Sequence, residues 1–445
     1  MQRKNINFIL ISGIPILLFI ACLFLFSVNA PWLDDFEVGP MTLKNWLATE
    51  DITQRFDLIW APNNEHRVVI LKLLVLFNYY LLGQFNIQWM IWESHLYLIP
   101  LFYFVFQVLP KENRLLSLAS LIFVYLSFQY TLSSYWMIAA VQHNSVIGFG
   151  LISTYLLAKN KYFFAAIFCT LMAALSNSDG LFFIPIGAFL LFLQYRLKEL
   201  FIWLIVLIGL IFLFFLKYPS MNYHAFAFQF FLENPLKSFF GFFIFLGGFM
   251  DFFKEKSIPL RLYTTGIFGF VIVLIWAKFL SVFCKGTMSN KISHWKKGTL
   301  VSSNGLFILS GILFCLTNAL MISVLRAVFG DYVYLIGNYR IYAALACLFT
   351  ILLAFQQTND VRTKYTILFV SIFYWGFSAY TYLPGVIANQ NRLIKSYLDF
   401  NSNKGGLGFT AKQVSEFKLA KTLQEFEKKG IYHPPKLTKR LGDLH

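Results

Sequence analysis

The chain has 445 residues, of which 58% are hydrophobic, 19% aromatic and only 13% charged, and its mean hydropathy is +0.63. A soluble domain carries charge on about a quarter of its residues, so this composition excludes one and points to an all-α, polytopic membrane protein whose apolar runs approach the ~20 residues that cross a bilayer. The net charge of +16 comes mostly from Lys and Arg in short inter-helix loops and in the C-terminal tail, a distribution that marks topology and contact with lipid headgroups, not nucleic acid.

The first apolar run, Phe8 to Val28, follows Arg3 and Lys4. It is too long and too poorly ended for a cleaved signal peptide and reads as a retained anchor with its N-terminus in the cytoplasm. A polar loop, Asn29 to Arg67, comes next and holds seven of the chain's 21 acidic residues. It begins with Asp34-Asp35-Phe36-Glu37 and ends with Asn63-Asn64-Glu65-His66-Arg67. Carboxylates beside a bilayer are costly unless solvated, paired or used, which makes loop 29–67 the first candidate for a functional site.

Basic residues gather in the loops Lys111 to Arg114, Lys159 to Lys161, Arg196 to Lys198, Lys285 to Lys297 and Asp360 to Lys364, all expected in the cytoplasm. Keeping them on one side requires an even number of crossings between successive loops. That parity puts the short segment Val68 to Gly83 at the membrane surface and makes Phe226 to Phe253, broken by Pro235 and glycines, an external re-entrant or interfacial segment. About eleven transmembrane helices follow, near 7–28, 86–108, 115–132, 138–158, 162–176, 180–195, 200–217, 262–284, 303–324, 341–357 and 364–382. This count leaves the C-terminus outside. The expected division is a membrane domain over 1–383 and a basic external tail over 384–445, with Lys404-Gly405-Gly406 as a hinge and one amphipathic helix from Thr410 to Lys429. No inverted repeat of the kind common in secondary transporters is evident.

Under this topology Asp34, Asp35, Glu65, His66, Arg67, Gln142, His143, Asn177, Asp179, Arg326, Asp331 and Arg340 all fall on the external side. One shared cavity there would hold carboxylates able to act as a general base, histidines, and arginines able to grip a phosphate through two hydrogen bonds. Plainer roles compete with each. Asp34 and Asp35 suit a helix cap; Asp179 lies in the turn Ser176-Asn177-Ser178-Asp179-Gly180; Arg340 opens an apolar helix where arginines snorkel. Glu93, inside a crossing, is expected to pair with His95 or with a neighbouring helix. The five cysteines, Cys22, Cys169, Cys284, Cys315 and Cys347, sit in apolar runs and read as core residues. Phosphate-loop, zinc-protease, serine-elbow and dinucleotide motifs are absent.

A first helix followed by a loop opening on Leu33-Asp34-Asp35-Phe36, surface segments and many further helices resembles the GT-C superfamily of membrane glycosyltransferases. Asn63-Asn64-Glu65-His66-Arg67 ahead of an apolar stretch is similar to the same loop in bacterial members, and the layout matches over roughly Met1 to Leu383. The resemblance implies a GT-C-like fold, a polyprenyl-phosphate-linked sugar as donor, and a glycan or lipid acceptor of the cell envelope at the external face of the plasma (inner) membrane. Asp34 or Asp35 would be the catalytic base, and Glu65, His66, Arg67, His143, Asp179 and Arg340 would bind substrate or phosphate. The Lys-Pro-Pro of the aminoarabinose and mannosyl transferases and a large soluble domain after the last helix are both missing, which leaves the sugar, the acceptor and a divalent ion at Asp34 and Asp35 open. A flippase or transporter of lipid-linked glycans, or a polysaccharide polymerase, is the alternative.

Overall fold

The computed structural model describes residues 2–64, 66–218, 222–253, 255–289, 302–416 and 419–435, and among them the fold is all-helical. Among the described residues six helices are long and apolar enough to cross a membrane: Ile6–Phe26, Leu197–Phe215, Ile258–Ser281, Ser303–Leu325, Arg340–Gln357 and Val361–Asn401. The chain is a multi-pass membrane protein by that measure. Shorter apolar helices such as Arg114–Tyr125, Phe163–Ser176 and Pro235–Leu246 fill the spaces between them.

In chain order the helices that position the site are α1 (Gln2–Phe26), α2 (Thr42–Ala48), α3 (Ile52–Trp60), α4 (Val69–Leu82), α5 (Ile87–Ser94), α6 (Leu98–Val108), α7 (Arg114–Tyr125), α8 (Thr131–Tyr135), α9 (Met137–Ala158), α10 (Phe163–Ser176), α11 (Phe183–Leu193) and α12 (Leu197–Phe215). After them come α13 (Asn222–Glu233), α14 (Pro235–Leu246), α15 (Ile258–Ser289), α16 (Ser303–Leu325), α17 (Arg340–Gln357), α18 (Val361–Asn401), α19 (Ala411–Glu416) and α20 (Leu419–Lys428). The polar starts obey simple capping chemistry. Asp51 accepts from the Thr53 and Gln54 N–H groups to begin α3, and Asp360 does the same with Arg362 and Thr363 to begin α18.

Helix α9 runs through the middle of the bundle. Its 22 residues are long enough to span, yet it is not among the six most lipid-like helices, because Gln142, His143 and Asn144 interrupt its apolar run. All three are buried: the helix meets protein on nearly every side and needs no lipid-facing stripe.

Hydrogen bonds tie the helix ends together at two levels. At one, Val108 O accepts from the Asn304 and Gln356 side chains, Leu157 O accepts from Gln194, and Lys159 donates to Asn304. At the other, the acidic loop meets the start of α9 through Ile138 N to Asp35 and Trp136 Nε1 to Trp32 O.

Several expectations need amendment. Helix α18 does not stop near 383: it continues through Pro384 to Asn401, because its later turns bury Val386, Leu393, Ile394, Tyr397 and Phe400. The tail is therefore no loose appendage. The described part of the Thr410 to Lys429 stretch forms two short helices, α19 and α20, and Val414, Leu423 and Phe426 do face inward as the amphipathic period requires; Phe417 lies outside the described residues. Segment 226–253 folds as two helices parted at Asn234-Pro235, and α14 then lies antiparallel against α15. Their backbones nearly touch, since a Cβ on Gly247 would stand 1.8 Å from Thr265 O and one on Gly269 1.8 Å from Phe243 O. Glu93 accepts from Asn78 on the neighbouring helix α4 at 2.8 Å, the second of the two pairings expected for it. The basic loop Lys285 to Lys297 lies largely outside the described residues, as does the side chain of Cys284; Cys22, Cys169 and Cys315 are buried, as expected.

Candidate functional site

A cavity of about 740 Å³ opens at the end of the bundle that carries the acidic loop. Its walls come from that loop, from the start of α9, from the α10–α11 turn, and from the facing ends of α12, α16 and α17. Asp34, His66, His143 and Asp179 all line it, with Gln142, Asn177 and Arg326, so seven of the twelve external residues singled out from sequence converge on one chamber.

Local structure explains how they arrive there. Asn63 and His66 exchange backbone hydrogen bonds of 2.8 and 2.9 Å across a tight turn in which Asn64 takes a left-handed conformation (φ 49°), one that asparagine tolerates better than most residues. The Asn63 side chain donates to Glu37 at 2.8 Å and pins the turn to the first half of the loop. His66 Nδ1 then shares a hydrogen bond of 2.6 Å with the Ser178 hydroxyl in the α10–α11 turn. One residue on, the Tyr342 hydroxyl donates to Asp179, and the same hydroxyl shares a hydrogen bond of 2.7 Å with His143 Nδ1. Asp179, Tyr342 and His143 thus form a continuous chain along one wall.

Burial pushes the Asp34 carboxyl above the usual carboxylate range. It pushes Asp179 up to about 6, against the downward pull of the Tyr342 hydroxyl, the Asn177 amide and the Gly180 N–H. Both are carboxylates whose basicity is moved toward neutrality, as proton transfer at pH 7 favours.

Amides dominate the remaining polar lining. Asn63, Asn64, Gln142, Asn177, Asn318 and Asn338 all face the cavity, and each can both donate and accept. The Oδ1 atoms of Asn177 and Asn338 are buried with no hydrogen-bond partner among the described residues. Buried acceptors of this kind are rare without a bound group to satisfy them. A second side of the cavity is apolar, formed by Phe182, Phe214, Phe215, Met321, Ile322 and Leu325.

Three of the sequence candidates are elsewhere. Asp35 is 1% exposed and off the cavity wall; its two oxygens accept from Trp32 N and Ile138 N, each at 3.0 Å. It locks the loop to α9, and burial raises it to about 8. The two acids therefore do not converge on one ion, and among the described residues no three His, Cys, Asp or Glu side chains group as metal ligands do. Arg67 is 1% exposed and spends its guanidinium on the carbonyls of Trp60, Phe214 and Leu216. Arg340 is 6% exposed and bonds Asp251, Tyr382 and Leu335 O. Neither arginine lines the cavity, because each satisfies buried acceptors between helices instead of facing a ligand. Glu65 lies outside the described residues.

The arginine that does line the cavity is Arg326, at the end of α16. It was visible in sequence only as one external polar residue among twelve. Tyr342 carried no signal at all, being one of 23 tyrosines inside an apolar helix. Comparison of the chain with protein-family models, with curated proteins and with solved structures finds no match.

Proposed function

We propose that this protein is a membrane glycosyltransferase of the GT-C kind, with about eleven crossings, an N-terminus in the cytoplasm and a C-terminus outside. In this reading it moves a sugar from a polyprenyl-phosphate carrier to a glycan or lipid acceptor on the external side of the plasma membrane. The carrying observation is the composition of the cavity: six amide side chains and two carboxylates of raised pKa gathered in one chamber at a single end of the bundle. Amides and carboxylates are the groups that pair with closely spaced hydroxyls, since together they supply donors and acceptors within a small volume. The apolar side suits a prenyl chain, and Arg326 supplies the positive charge that a phosphate requires.

In the proposed reaction Asp34 takes the proton of the acceptor hydroxyl as its oxygen attacks the anomeric carbon. The bond from that carbon to the phosphate oxygen breaks, and the phosphate leaves with the electron pair, stabilised by Arg326. Asp35 has no part in the chemistry and fixes the loop. The parity behind the eleven crossings is supported by the side-chain ties among Val108, Leu157, Lys159, Asn304 and Gln356, which join helix ends expected on the cytoplasmic side.

The test is transfer by purified protein in lipid vesicles supplied with polyprenyl-phosphate sugars and candidate acceptors. Asp34→Asn is expected to lower turnover by about a hundredfold or more, the usual share of a general base, while donor binding persists. Unchanged turnover in Asp34→Asn removes the mechanism.

A further inference from the structure

We propose that the described residues after α18, 402–416 and 419–433, form a strap that holds the Asp34 loop in its working position, with Tyr432 and Gly408 as positioning residues. The activity arm of this inference rests on the transferase reading; the structural arm does not.

The strap grips the loop at two points, Asn29 and Leu33, both ahead of Asp34 in the chain. Leu33 N donates to Leu407 O at 3.0 Å, immediately before Asp34. At the second point the Tyr432 hydroxyl donates to Asn29 O at 2.6 Å, and Asn29 Nδ2 returns a bond of 2.6 Å to His433 O. The other end of the Asn29 amide accepts from Ile87 N at 2.8 Å, and Phe85 N donates to Ile431 O at 2.7 Å. One asparagine thus joins the loop, the start of α5 and a strap more than 400 residues away in sequence.

These contacts are not surface decoration. Tyr432, Leu407 and Phe85 are fully buried, and Phe36 of the loop packs against Phe400 and Phe409 with ring centroids 5.4 Å apart in each case. The loop itself is strained at the point of attachment. Leu33 adopts φ 51°, a left-handed conformation that costs a residue with a branched side chain dearly. Such a conformation persists only where the surroundings over-determine it. Here they do: Gly408 (φ +94°) lies so close that a Cβ on it would stand 2.3 Å from Leu33 Cδ2. Without the strap, Leu33 loses both its hydrogen bond and the surface that shapes its side chain, and relaxation to an ordinary φ would swing Asp34 relative to the cavity.

The experiment uses the full-length protein in lipid nanodiscs with Tyr432→Phe, Gly408→Ala and, as a control on the exposed face of α19, Lys412→Ala. Hydrogen exchange is followed in peptides covering residues 29–40 and in peptides from α9 and α17, alongside kcat and KM for sugar transfer. The expected result for the first two variants is a loss of protection in 29–40 of about tenfold, the scale set by one buried hydrogen bond, with α9 and α17 unchanged. A fall in kcat with KM held is expected beside it, and Lys412→Ala should match the wild type. Unchanged protection of 29–40 in both variants overturns the strap, as does equal loosening of α9 and α17, which would mean a general role in folding. Retained kcat in an Asp34-dependent enzyme overturns the positioning role. Loosening confined to 29–40 in a protein that transfers no sugar leaves the strap standing and sinks the transferase reading alone.

Discussion

Arg340 and Asp251 meet at 2.5 Å inside the protein, Arg340 only 6% exposed and the Asp251 side chain not exposed at all. Arg261 of α15 reaches the same carboxylate through bonds of 2.8 and 2.7 Å, so one aspartate fastens the α14–α15 connection to the start of α17. Removing one member of a buried pair leaves an uncompensated charge, at a cost of about 3–5 kcal/mol. Asp251→Ala, which leaves the buried Arg340 guanidinium without a counter-charge, is accordingly expected to lower the unfolding temperature in detergent steeply, and Arg340→Ala, which leaves Asp251 paired with Arg261, to lower it less. An Arg340→Ala protein of normal stability with weakened donor binding would return Arg340 to the phosphate role expected from sequence.

Asp35 gives a pH prediction. Its pKa rises from 3.8 to about 8 because burial disfavours the charged form, while the bonds from Trp32 N and Ile138 N only partly offset that. A carboxyl whose folded pKa lies above its unfolded value binds a proton more tightly in the native state. Its stabilising contribution is therefore complete below about pH 4 and is lost as the pH rises toward and through about 8. Wild-type protein should unfold at a lower temperature at pH 9 than at pH 6, and Asp35→Asn, which has nothing to titrate, should flatten that difference. A slope that is the same in both proteins assigns the effect to another group.

The close approach of α14 and α15 yields a third. A methyl group at Gly247 has no room beside Thr265 O, so Gly247→Ala must push the two helices apart. Overpacking of this kind costs about 1–3 kcal/mol. Gly209→Ala is the matching control, because nothing lies within 4 Å of a Cβ there. Equal thermal stability of the two variants would show that the α14–α15 contact is not held under compression.

Rarity in the sequence decided how much of this could be foreseen. Carboxylates and histidines stand out in a chain this apolar, and Asp34, His66, His143 and Asp179 do share a cavity. Neighbouring residues of the same type could not be told apart: Asp34 and Asp35 differ by which way the chain turns after the left-handed Leu33. Arg67 and Arg340 misled because their partners, Phe214 and Asp251, lie far along the chain. The strap was missed for the same reason, since no local pattern announces that Tyr432 will cap Asn29. Tyr342 is apolar by composition and polar only through its two neighbours.

That tyrosine supports the last prediction. Its hydroxyl donates to Asp179 and so favours the charged carboxylate, opposing the burial that raises Asp179 to about 6. In Tyr342→Phe the opposing bond is gone and the pKa must move further up. If Asp179 acts as a carboxylate, the acidic limb of kcat/KM against pH, which reports the free enzyme, should shift to higher pH in Tyr342→Phe. The part of the limb that Asp179 sets should disappear in Asp179→Asn, leaving the limb set by Asp34 as the base, and Tyr342→Phe should have no further effect in that background. His143→Gln, which keeps a hydrogen-bonding group toward Tyr342 but changes the far end of the chain, should displace the limb less than Tyr342→Phe does. An acidic limb that stays put in Tyr342→Phe would mean that Asp179 shapes the cavity wall and takes no part in moving the proton.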